Sequence, residues 1–67
     1  MNDEVMKAAV RQFLKNVTAT AQREIEKVIL NAVATGKLQG NETCTAAVTL
    51  ASEKIGLNIT IYNKIEL

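Results

Sequence analysis

The chain has 67 residues, a net charge of +1 and 48% hydrophobic residues. That is enough for one domain and too apolar for a disordered segment, and the weak net field does not favour a dedicated nucleic-acid binder. With Cys44 as the single cysteine and no histidine, an internal disulfide and a structural zinc site of the usual kind are excluded. A chain this short buries only about 60% of the surface its unfolded form exposes. Of the devices small domains use for added stability, oligomerisation is the one left open.

The opening Met1-Asn2-Asp3-Glu4 is acidic and has no apolar run, so it does not read as a secretory signal. No stretch approaches the roughly 18 apolar residues of a membrane span. The expected setting is cytoplasmic. On that expectation the sequons Asn16-Val17-Thr18, Asn41-Glu42-Thr43 and Asn58-Ile59-Thr60 are chance matches.

Asn2 or Asp3 can cap a first helix, whose positive end suits Asp3 and Glu4. Met6, Ala9, Val10, Phe13 and Val17 then recur on one helical face. The expected end is near Lys15 or Asn16, because Thr18-Ala19-Thr20 interrupts the pattern and Thr20 can cap a second helix. That helix carries Ile25, Val28, Ile29 and Ala32 as its apolar stripe and stops at Gly36, a residue suited to the left-handed cap. Lys37 to Glu42 is a polar loop.

Beyond the loop the period changes to two. Ala46, Val48 and Leu50 alternate with Thr45, Ala47 and Thr49, and Leu57, Ile59 and Ile61 alternate with Asn58, Thr60 and Tyr62. Ile65 and Leu67 bracket Glu66 as a third strand, with turns near Gly56 and at Asn63-Lys64. Cys44, Ala47, Val48, Ala51 and Ile55 also fit a helical stripe, so strand and helix both stand for residues 44–55, with Thr and Val content favouring strand. The expected fold is a single α+β domain over residues 1–67: two N-terminal helices followed by a three-stranded antiparallel β-meander. Its expected core is Met6, Val10, Phe13, Val17, Ile25, Val28, Ile29, Val48, Leu50, Leu57, Ile59, Ile61 and Ile65.

Three stretches carry a family resemblance. They are Met1 to Val5 with Arg11 to Val17; Gln22 to Lys27 with Gly36-Lys37-Leu38 and Gly40-Asn41-Glu42; and Val48-Thr49-Leu50 with Gly56-Leu57 and Ile65-Glu66-Leu67. In them the chain resembles a small family of uncharacterised proteobacterial proteins of about this length, a domain of unknown function. The chain departs from the family pattern at Ala21, where the family tends to have a capping serine, at Leu30, where it tends to have a charge, and at Tyr62-Asn63, where it tends to have a tight turn. The resemblance implies strand over Val48 to Leu50 and a bacterial cytoplasmic setting; it implies no activity, and no cofactor is expected.

Without histidine there is no ready general base, and Glu24 and Glu26, two apart on a helix, face different sides. No phosphate loop or dinucleotide fingerprint is present. The sequence therefore reads as a non-enzyme. Cys44 reads as a small apolar strand residue, since no flanking cation or histidine is there to activate it. Lys7, Arg11 and Lys15 form a basic stripe that could contact phosphate; the preferred reading is a solvated flank near the negative end of helix one. A helix-turn-helix reading of the helix pair would lead with Glu24 and Glu26 towards phosphates, which is unfavourable. Leu30, beside Ala34 on the polar side of helix two, marks a candidate interaction surface. The leading expectation is a small protein-interaction or structural module that forms a homodimer or binds another protein. The alternative is a weak nucleic-acid binder with a helix-turn-helix-like helix pair.

Overall fold

A computed structural model describes all residues, Met1 to Leu67. The elements are one helix, α1 (Asp3–Ala34), and two strands, β1 (Thr43–Ser52) and β2 (Leu57–Glu66). The chain divides into two units, Met1–Lys37 and Leu38–Leu67. The overall class is α+β, but the expected two helices and three strands are corrected to one helix and a two-stranded antiparallel sheet.

The first unit is a 32-residue helix with well-formed ends. Asn2 is the N-cap: its Oδ1 accepts from the Glu4 amide at 2.8 Å and the Val5 amide at 3.2 Å, satisfying two of the donors a helix start leaves free. Asp3 and Glu4 fill the first turn. At the other end the Lys37 amide donates to the Ala32 carbonyl at 2.9 Å and the Gly36 amide to the Val33 carbonyl at 3.2 Å. With Gly36 at φ +82 this pair of bonds is a Schellman stop. The expected break at Thr18-Ala19-Thr20 is absent. Thr costs a helix interior only about 0.7 kcal/mol relative to Ala, and residues 1–35 contain no glycine or proline that would force a stop. Thr20 therefore caps nothing, and Ala21 and Glu24 are mid-helix residues.

The second unit is a hairpin. β1 pairs with β2 over ten residues each, from Thr43↔Glu66 to Ser52↔Leu57. The connection Glu53–Gly56 closes through the Gly56 amide donating to the Glu53 carbonyl at 3.1 Å, with Gly56 at φ +69. Of the ambiguous segment 44–55, residues 44–52 are strand, as their Thr and Val content favours, and 53–55 belong to the turn. The expected turn at Asn63-Lys64 is not formed: both residues stay in β2, and the segment read as a third strand is the end of the second. Neither Asn63 nor Lys64 takes a positive φ, whereas Gly56 does and reverses the chain there. Before β1, the Glu42 carboxylate organises the loop, accepting from the Gln39 amide at 2.6 Å and the Gly40 amide at 3.0 Å.

The largest correction concerns the core. No residue is buried. Val17, Ile29, Leu50, Leu57 and Ile65 are half-buried; the other expected core residues, Met6, Val10, Phe13, Ile25, Val28, Val48, Ile59 and Ile61, are exposed. Taken singly, a lone helix and a two-stranded ribbon each carry an apolar face that the unit itself has no second layer to enclose.

Candidate functional site

Continuity of α1 joins two short apolar stripes into one long one. Met6, Val10, Phe13, Val17, Ala21, Ile25, Val28 and Ala32 follow one another at steps of three or four residues and so occupy one face. Ala9, Leu14 and Ile29 widen the stripe. At a rise of about 1.5 Å per residue the stripe is about 39 Å long. Phe13 is 54% exposed and Val28 65%. Midway along it, Phe13, Asn16, Val17, Thr20 and Ala21 line a shallow hollow, where small side chains follow a large ring. Glu24, three residues after Ala21 and four before Val28, and Lys7, three residues before Val10, set charges at the margins of this face.

The hairpin carries its own apolar face. The register sets Cys44, Ala46, Val48 and Leu50 of β1 on the same side as Ile65, Ile61, Ile59 and Leu57 of β2, with Asn63 and Ser52 among them. The opposite side holds Thr43, Thr45, Ala47, Thr49 and Ala51 of β1 and Asn58, Thr60, Tyr62, Lys64 and Glu66 of β2. There the Thr49 and Thr60 hydroxyls meet at 3.1 Å across the strands, one of the cross-strand pairs that fix register. Each strand also has one unpaired edge.

Leu30 and Ala34 fall one turn apart on α1, away from the long stripe; Leu30 is 71% exposed. Lys7, Arg11 and Lys15 are exposed on one flank of α1, and Lys7 Nζ lies 4.0 Å from Glu4 Oε1. Because the helix runs on to Ala34, Arg11 and Lys15 are mid-helix, not at a negative end, and the last turn holds no basic residue. The expected favourable dipole contact is thereby withdrawn. The helix-turn-helix geometry is withdrawn with it, since α1 has no turn. Cys44 is the second residue of β1, half-buried opposite Ile65 on the apolar face. No three His, Cys, Asp or Glu side chains come together in a way that could hold a metal ion, and no helix is long and apolar enough to cross a membrane.

Sequence reasoning treated the helix stripe and the strand face as the interior, and so passed over both as surfaces. The signal was in the residues themselves: the first stripe ends at Val17 and the second begins at Ile25, with Ala21 one turn from each.

These features define a class: a small α+β protein whose helix and hairpin each carry an apolar face that its own unit does not enclose. Within that class the chain belongs to a family of unknown function, DUF6494, which matches it over residues 1–67. Neither the curated proteins nor the solved structures contain a match to it.

Proposed function

We propose that this protein is a self-associating interaction module that works through the apolar face of α1 and has no catalytic role. The observation that carries the proposal is the complete absence of buried residues in a chain with 48% hydrophobic composition. Most helical stability in proteins comes from packing an apolar face against something, and an isolated two-stranded hairpin is marginal in water. A surface of this kind therefore draws its stability from a partner, and self-association supplies one at no cost in a second gene product. A cytoplasmic, bacterial setting belongs to the same proposal and rests on the family resemblance.

Sedimentation equilibrium of the pure protein tests it. The expected outcome is a species heavier than 7.3 kDa whose population rises with concentration. A strict monomer at high micromolar concentration overturns it. Binding of nucleic acid through Lys7, Arg11 and Lys15 ranks second: Lys7 already has Glu4 as a neighbour, and the net charge is only +1.

A further inference from the structure

The spacing of the α1 stripe has a symmetry that specifies a partner. From Met6 to Ala32 its steps are four, three, four, four, four, three and four, the same read from either end. The centre of that palindrome is the level of Ala19. Residues equidistant from it are Met6 and Ala32, Val10 and Val28, Phe13 and Ile25, and Val17 and Ala21. Two copies of the helix running in opposite directions about a two-fold axis at that level bring these residues together in matched layers. Three of the four layers set a larger side chain against a smaller one, which is how facing positions interdigitate. A two-fold axis makes the patch its own complement, as closed homodimers require.

We propose that a second copy of this chain covers the α1 stripe, antiparallel and in register about Ala19, an inference that rests on the self-association reading above. Charge selects the orientation. Glu24 sits at the margin of the stripe. A parallel, in-register pair sets the two Glu24 carboxylates against each other, and like charges so placed oppose pairing. In the antiparallel pair each Glu24 lies at the level of the partner's Leu14. The two carboxylates are then about 15 Å apart along the axis, given a rise of about 1.5 Å per residue, beyond the ~8 Å over which exposed charges interact at physiological salt. The antiparallel arrangement also sets opposite helix ends side by side, which suits the helix dipoles.

The stripe runs about 39 Å along the axis, so the contact engages α1 over nearly its whole length. The stripe also repeats every eleven residues, as Met6, Val17 and Val28 and as Val10, Ala21 and Ala32. That period keeps the face on one line along a straight or slightly right-handed pair.

Disulfide trapping reads the orientation. Full-length chains with Cys44→Ser and Val10→Cys are mixed in equal amounts with chains carrying Cys44→Ser and Val28→Cys, in a glutathione redox buffer. Tryptic mapping then identifies the linked peptides. Nearly all of the disulfide should join residue 10 to residue 28, and each variant alone should give no more dimer than a Gln12→Cys control placed off the stripe. Disulfides joining 10 to 10 and 28 to 28 mean a parallel pair and overturn the inference while self-association stands. A dimer by sedimentation with neither linkage above the control shows that another surface pairs, such as a hairpin edge, and also overturns it. A strict monomer by sedimentation removes the self-association reading itself.

Discussion

At the residue scale the chain turns on a few positions whose chemistry is local. Asn2, Gly36 and Glu42 each satisfy backbone groups that an element's end would leave bare, through the bonds at the start of α1, at its Schellman stop and in the loop before β1. Gly56 is the most demanding of them. Its φ of +69 lies in the left-handed region, and a Cβ there would meet nothing within 4 Å. Substitution is thus a test of backbone conformation alone. Gly56→Ala should destabilise the hairpin by about 1 kcal/mol, and Gly56→Asn should recover part of that loss because Asn tolerates this conformation better. Urea midpoints of the two variants check the order. Equal midpoints for wild type and Gly56→Ala would mean that residue 56 does not hold a positive φ.

At the element scale the decisive feature is the continuity of α1 through Thr18-Ala19-Thr20. The two descriptions of this segment make opposite predictions for Thr20→Ala. If Thr20 capped a second helix, its removal would cost about 1 kcal/mol. In an unbroken helix the same change removes a β-branched residue from an exposed interior position and should add several tenths of a kcal/mol, up to about 0.7. Thermal unfolding followed by circular dichroism at 222 nm gives the sign: a higher midpoint supports the single helix, and a lower one the break. Much of this level was legible beforehand. Asn2 as cap, Gly36 as stop, the change of period after Glu42, the turn at Gly56 and the strand character of β1 all follow from residues acting over three or four neighbours. The misread junctions, Thr18 to Thr20 and Asn63-Lys64, share a cause. Thr, Asn and Lys are tolerated in turns and in regular structure alike, so their presence permits a break without requiring one.

At the scale of the whole molecule the question is what lies against the apolar faces. An unpartnered helix and hairpin should have a midpoint of unfolding that does not depend on concentration. Association through the α1 stripe makes that midpoint rise with protein concentration, because mass action adds to stability. Phe13 reports on the same point. Exposed as it is within one chain, its trimming to Ala should change the stability of an isolated monomer by no more than about 0.5 kcal/mol. Enclosed by a second copy, Phe13→Ala should cost about 3–5 kcal/mol and shift the association midpoint to higher concentration. Sedimentation and thermal melts of the variant over a hundredfold range of concentration separate the two outcomes.

Read by itself, the sequence determined the ends of the helical region, the strand segments, the side of each element that is apolar, and the lack of disulfide or histidine chemistry. These are settled by composition and by periodicity within a few residues; the helix start and stop and the apolar sides stand in the structure, while the third strand is absorbed into the second. Tertiary structure decided how many elements the segments form and whether their apolar sides have an interior to fill. Periodicity marks a side chain as one that gains by leaving water; it does not say whether the atoms that shelter it come from the same chain. One unbroken helix has no second helix folded back against its stripe, and a two-stranded ribbon has no third strand, so neither unit encloses its own apolar side and the residues that looked like a core lie on a surface.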